Sequence, residues 1–194
     1  MANGYITLAE FKEEREVTDS TDDSRFQRAI DRASRAIDDR CSRRFYSDGV
    51  ATERLMSVYG ATIARRDGEL LLTSDIATDA GLLVSYGNGV SPSHWTNVTS
   101  FSVHREKEGW PITGLLAASW YGGETIRVTA DWGWPEAPEP IKEATLLLAN
   151  RRFTRRKSPE GVAGWAQDGA VRVSRFDPDI EDLVQPYVLH GFGA

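Results

Sequence analysis

Between Phe26 and Cys41 the apolar side chains recur at helical spacing: Phe26, Ile30, Ala33, Ile37 and Cys41 are separated by four, three, four and four positions. An extended chain would send Phe26 and Ile30 to one face and Ala33, Ile37 and Cys41 to the other, so only a helix can bury them together. The other faces carry Arg28, Asp31, Arg32, Arg35, Asp38 and Asp39 at spacings that suit pairs along a helix. Arg40, Arg43 and Arg44 follow where the helix dipole favours cations. The pattern predicts an amphipathic helix of about five turns whose apolar face must be covered by other elements.

Those elements can be read on either side of it. Thr7-Leu8-Ala9-Glu10 fits a capping box and opens a short helix ending near Arg15, with a polar connection through Ser20-Thr21-Asp22-Asp23. From residue 45 to 137 the period changes. Ile126, Val128 and Ala130 alternate with Thr125, Arg127, Thr129 and Asp131, and similar runs occur at 53–59, 69–73, 82–86 and 100–105. Asp67-Gly68, Asn88-Gly89 and Gly122-Gly123 supply turn signals between them. Pro135, Pro138 and Pro140 end the sheet, and Ile141, Ala144, Leu146, Leu147, Leu148 and Phe153 mark a further helix, apolar around more of its circumference. A loop or hairpin is expected over Gly161–Val173, and a short last helix starts at Asp177-Pro178 with Ile180, Leu183 and Val184. The expected fold class is α+β: a small helical bundle (1–44 and 138–194) with an inserted antiparallel β-rich subdomain (45–137) and a C-terminal docking tail (187–194).

At 194 residues and 40% hydrophobic the chain can bury a core, which excludes an intrinsically disordered chain. Cys41 is the only cysteine, so an internal disulfide and a multi-cysteine metal site are excluded, and a reducing compartment is favoured. No apolar run is long enough to span a membrane, and no apolar signal core opens the chain, so neither membrane insertion nor secretion is expected. The net charge of −6 excludes a generally basic nucleic-acid binder, but it sums unlike blocks: −1 over 1–44, −6 over 45–140, +5 over 141–157 and −4 over 158–194.

Catalytic patterns are thin. His94, His104 and His190 lie far apart, and none has a ligand partner one helical turn away. Cys41 sits on the apolar stripe, where a buried, inert thiol is expected rather than a nucleophile. No phosphate-binding glycine loop, nucleophile elbow or zinc-protease motif occurs, so no enzyme, cofactor or metal is expected.

Three features bear on binding. Arg151, Arg152, Arg155, Arg156 and Lys157 place five cations in seven residues. They read equally as a contact for phosphates or an acidic protein surface, or as cations neutralising a helix C-terminus. Trp95, Trp110, Trp120, Trp132 and Trp134 all fall in the β-rich part. Exposed, they would make a carbohydrate- or host-binding face; Trp132 and Trp134, flanking Gly133 beside a strand, read rather as core or interface anchors. The apolar terminus Tyr187–Ala194 reads as a segment that docks on a partner.

The order of elements resembles a known family. The residues that carry it are Ile6-Thr7-Leu8-Ala9-Glu10-Phe11; Ala36-Ile37-Asp38-Asp39-Arg40-Cys41-Ser42-Arg43-Arg44-Phe45-Tyr46; Pro140-Ile141-Lys142-Glu143-Ala144; Leu146-Leu147-Leu148-Ala149 with Arg151-Arg152; and Asp177-Pro178-Asp179-Ile180 with Leu183-Val184-Gln185-Pro186-Tyr187. The pattern resembles the head–tail connector (adaptor) proteins of long-tailed double-stranded DNA bacteriophages and gene transfer agents, over about 5–46 and 138–189. That resemblance implies a non-enzymatic virion neck protein, assembled in the bacterial cytoplasm as a ring, commonly twelve-fold, beneath the portal protein. Such a ring extends the channel through which DNA passes without sequence recognition, and joins the portal to a downstream stopper or tail connector protein. It further implies that Tyr187, Val188, Leu189 and Phe192 reach the portal. Trp165, Arg172 and Arg175, in the loop 158–176, would approach the channel or a neighbouring subunit. Opposed charge blocks would set the register between subunits, with Arg151, Arg152, Arg155, Arg156 and Lys157 at the contact.

Overall fold

The computed structural model describes residues 4–89, 91–120, 125–155 and 177–189. Two compact units divide the chain, Met1–Phe45 with Ala137–Ala194, and Tyr46–Glu136. The class is α+β: among the described residues the first unit is helical and the second consists of two antiparallel sheets.

In the helical unit, α1 (Leu8–Glu14) begins with the expected capping box. The Glu10 N–H donates to Thr7 Oγ1 at 3.1 Å, and the Thr7 N–H donates to Glu10 Oε2 at 2.6 Å. That second bond holds the Glu10 carboxyl below its usual range. Helix α2 (Asp23–Cys41) buries the whole predicted stripe, Phe26, Ile30, Ala33, Ile37 and Cys41. Helix α3 (Glu139–Arg155) starts with Pro140 in its first turn and buries Ile141, Ala144 and Ala149. Its expected all-round apolarity is only partly used, for Leu146 and Leu148 are half-buried and Leu147 is exposed. Helix α4 (Pro178–Val184) is capped by Asp177, as Asp177-Pro178 predicts, and buries Ile180 and Val184.

Aromatic rings join these helices. Phe26 of α2 meets Phe11 of α1 at 5.3 Å and Phe153 of α3 at 4.9 Å between ring centroids. The Arg15 guanidinium stands over the same three rings, closest to Phe153 at 4.8 Å, while its Nη1 donates to Asn150 Oδ1 at 2.8 Å. Cation–π attraction and one hydrogen bond therefore tie the end of α1 to α2 and α3.

The β unit contains β1 (Ala51–Ser57), β2 (Thr62–Arg65), β3 (Gly68–Ile76), β4 (Leu83–Gly87), β5 (Thr96–Val98), β6 (Ser102–Arg105), β7 (Ile112–Ala117) and β8 (Thr125–Asp131). One sheet has the order β1-β8-β4-β5 and the other β2-β3-β7-β6, and every pairing is antiparallel. The ends of β3 and β8 join the sheets: Ile76 bridges Trp132, and the N–H groups of Ala77 and Gly133 donate to Asp131 O and Asp75 O, both at 2.8 Å. Ile126, Val128 and Ala130 face inward as their alternation requires, against Leu71, Ile76, Val84, Ile112 and Leu115. Gly133 adopts φ +119°, and a Cβ there would lie 1.9 Å from Tyr46 O, so the chain leaving β8 turns this way only with glycine. Strands β2, β5 and β7 add to those read from sequence. Strand β7 lacks alternation because both its faces are covered, and its Gly114 lets Leu70 and Leu71 of β3 approach closely.

A buried polar network holds the N-terminal segment to α2. The Tyr5 hydroxyl donates to Asp38 Oδ1 and accepts from the Phe45 N–H at 3.0 Å, and the Tyr5 N–H donates to Ser34 Oγ at 3.1 Å. Burial pushes the Asp38 carboxyl above its usual range, overcoming the opposing effects of the Tyr5 bond and the Arg35 charge, and it also raises the Tyr5 phenol.

Two outcomes are expected. Phe26→Ala removes the ring shared by Phe11 and Phe153 and should cost about 3–5 kcal/mol, read as a lower urea midpoint; a shift below about 1 kcal/mol would contradict the packing. Because the fold raises the Asp38 carboxyl, the folded chain binds that proton more tightly than the unfolded chain. The contribution of this group to stability is therefore present in acid and lost as pH rises through the raised value. The stability of the parent minus that of Asp38→Asn, followed by urea denaturation from acid to neutral pH, should fall as pH rises, and a difference independent of pH would refute the assignment.

Candidate interaction site

The helical unit carries a cleft of about 410 Å³ between α2, α3 and α4. Ile37, Leu148, Ile180 and Val184 form its apolar floor, and Arg40, Arg151, Asp177 and Glu181 are on its lining too. Two ion pairs hold α4 there: Arg40 of α2 grips Glu181, and Arg151 of α3 grips Asp177. All four side chains are partly exposed, so each pair adds on the order of 1 kcal/mol or less. Arg40 thus reaches another helix rather than a neighbour on its own. Of the pairs expected along α2, the structure forms Arg35–Asp38 at 3.2 Å.

A shallower groove of about 350 Å³ lies beside the cleft, lined by Asp31, Arg32, Arg35, Ala36, Asp39 and Arg152. Arg152 Nη1 donates to the backbone oxygen of Arg32 at 2.6 Å. Partial burial and the nearby Arg32 charge both lower the pKa of Arg152, in that order of size. Asp31 accepts from Gln27 Nε2 at 2.9 Å, and among the described residues neither Arg32 nor Arg152 makes an ion pair. Arg32 was read from sequence only as a member of an intrahelical ladder. Its place beside Arg152 comes from the packing of α2 on α3, which residue spacing along one helix does not encode.

The residues singled out from sequence fall as follows. Arg151 is engaged within the chain, and Arg152 is exposed at the groove. The side chain of Arg155 and the residues Arg156, Lys157, Trp165, Arg172, Arg175 and Phe192 lie outside the described residues. Tyr187 is half-buried with its ring edge-on to Phe45 at 5.8 Å, and burial raises its phenol. The Leu189 N–H donates to Cys41 O at 2.9 Å, so the first residues of the apolar terminus pack on their own bundle. Val188 is half-buried, while Leu189 keeps 40% of its surface exposed. Cys41 is buried, and burial pushes its thiol up to about 11, so it is a poor nucleophile at neutral pH.

The tryptophans serve mainly as core. Trp120, Trp132 and Trp134 are buried, and their indole N–H groups donate to Glu69 O, Thr52 O and Asp75 Oδ2 at 2.8–2.9 Å. Trp110 packs on Trp134 at 5.2 Å, and Trp95 is covered by the Arg127 guanidinium at 4.4 Å. These contacts use the rings that a carbohydrate platform would need to present. Among the described residues no group of His, Cys, Asp and Glu could hold a metal ion, and no helix is long and apolar enough to cross a membrane.

No protein-family model matches the sequence, and no curated protein does. Solved structures do match. A chain from the neck of an empty gene transfer agent particle, computed with C6 symmetry, superposes with a TM-score of 0.55 at 15% identity, covering 98% of this chain and 93% of that one. A chain from the neck of a native particle, computed with C12 symmetry, gives 0.47 at 17% identity, with 100% and 98% covered. A chain of the native gene transfer agent virion gives 0.47 at 16%, with 98% and 93% covered. The protein therefore shares its fold, over nearly its full length, with a chain of that empty-particle neck.

Proposed function

We propose that this protein is a structural component of the neck of a tailed-phage-like particle, where a ring of identical copies joins head to tail. The observation that carries this reading is the shared fold with the gene transfer agent neck chain, which extends over both units rather than over a common helical motif alone. Both the β unit and the helical unit have a counterpart when 98% of the chain is covered. The symmetry of that neck, C6, is compatible with a twelve-fold ring, since twelve-fold symmetry contains the six-fold axis.

In this role the protein works by shape and contact, with no reaction assigned to it. The ring sits beneath the portal protein and meets a downstream stopper or tail connector, and double-stranded DNA passes through it. The net charge of −6 suits a passage in which DNA must slide, because multiple cation–phosphate contacts would hold it. Arg152, exposed on α3, is assigned to the contact between subunits, together with Arg155, Arg156 and Lys157, while Arg151, also in the cluster, is engaged by Asp177 within the chain. The segment 158–176, with Trp165, Arg172 and Arg175, is assigned to the channel or to the neighbouring copy. The portal contact is assigned to the end of the chain. Since Tyr187 packs on Phe45 and the backbone of Leu189 is bonded to Cys41, the described residue best exposed for this contact is Leu189, and Phe192 is assigned to the same contact.

Cryo-electron microscopy of particles made with an epitope-tagged chain should place the tag in a ring at the head–tail junction, and loss of the gene should leave heads without tails. A tag on the capsid surface, on the tail tip or absent from particles would overturn the reading. Deleting 190–194 should leave the unfolding free energy from urea denaturation within about 0.5 kcal/mol of the full chain while abolishing co-sedimentation with portal rings. Unchanged co-sedimentation would remove the terminus from the portal contact.

A further inference from the structure

The helical unit carries opposite charges at two separate places. Helix α1 and the turn after it expose Glu13, Glu14, Glu16 and Asp19, and among the described residues no ion pair engages the three glutamates. This cluster lies at the N-terminal end of α2, where Lys12 pairs with Asp23 at 2.8 Å. The groove with Arg32, Arg35 and Arg152 lies farther along the same helix. At 1.5 Å per residue, the axial distance from Asp23 to Arg32–Arg35 is roughly 15 Å, so one copy cannot bring its own glutamates to its own groove. Arg32 and Arg152 stand side by side at the exposed rim of this groove, and among the described residues neither forms an ion pair, although Asp31 and Asp39 also line it.

Resting on the ring reading above, we infer that the exposed glutamates at the end of α1 and in the turn after it, Glu13, Glu14 and Glu16, of one copy dock in the Arg32–Arg152 groove of the next. The occupant is a second copy of this chain. A knob and a groove at different places on one subunit make a head-to-tail contact, the kind that closes into a ring when the rotation per subunit divides the circle. Carboxylates in the groove would separate the two guanidiniums electrostatically and accept their free N–H groups, with the planar fork of each arginine suited to a paired contact. Asp31, on the same face, is already hydrogen-bonded to Gln27, and Arg35 to Asp38, so Arg32 and Arg152 are the cations this contact uses.

Charge reversal with exchange tests it. One variant carries Arg32→Glu and Arg152→Glu, the other Glu13→Arg, Glu14→Arg and Glu16→Arg; all these side chains are exposed, and each variant is first checked for folding by circular dichroism and urea denaturation. Self-association is measured by sedimentation velocity up to millimolar chain. Each variant alone should associate at least about ten-fold more weakly than the parent, since like charges brought together across a contact oppose it. An equimolar mixture should recover assembly, because each reversed groove then meets a reversed helix on its neighbour. The contact is overturned if the parent does not self-associate, if either variant assembles as well as the parent, or if the mixture stays as weak as its components. The neck reading is judged separately by the tagged particle: a chain found in the neck with assembly indifferent to these reversals would overturn the contact and leave that reading standing.

Discussion

Burial of one face of α2 is the constraint on which the rest of the helical unit depends. Each neighbour meets this helix at a different place: Phe11 and Phe153 at Phe26, the N-terminal segment through Tyr5 at Ser34 and Asp38 beside the stripe, and the final segment at Cys41. The stripe alone would bind any apolar surface, because hydrophobic burial has no direction. Direction comes from the polar groups set beside it. The Tyr5–Asp38 pair and the Arg15 guanidinium over three phenyl rings each accept one arrangement of neighbours, and their burial makes any other arrangement costly.

The β unit solves a comparable problem with tryptophan. Two short sheets have little area to bury, and large rings at Trp120, Trp132 and Trp134 fill the interior while their N–H groups tie separate strands by hydrogen bonds. This explains why so many indoles fall in one segment of the chain. The rings are committed to packing, while the outward surface mixes charged residues such as Glu53 with exposed apolar side chains, Val50, Leu55, Tyr59 and Leu83, and Arg127 covers Trp95.

Surface charge is where a structural role would leave its mark. The helical unit pairs charges between helices, Arg40–Glu181 and Arg151–Asp177, and within them, Arg35–Asp38 and Lys142–Glu139, while among the described residues Arg32, Arg152, Glu13, Glu14 and Glu16 form no ion pair. Surface pairs contribute little to the stability of a monomer, so unpaired charges cost the fold little and remain available to direct association.

Local patterns were legible in the sequence where one element decides them. The capping box at Thr7–Glu10, the stripe from Phe26 to Cys41, the alternation in β8 and the start of α4 at Asp177-Pro178 each depend on residues close along the chain. Strand β7 was not legible, because a strand covered on both faces has no alternation to read. Nor was the pairing of Arg40 with Glu181, 141 positions away, or the meeting of Arg32 with Arg152, 120 positions apart. The sequence by itself determined which faces must be buried and where helices begin. Only the tertiary structure decided which charges meet, because an ion pair is selected by the packing of helices whose separation along the chain carries no information about distance in space.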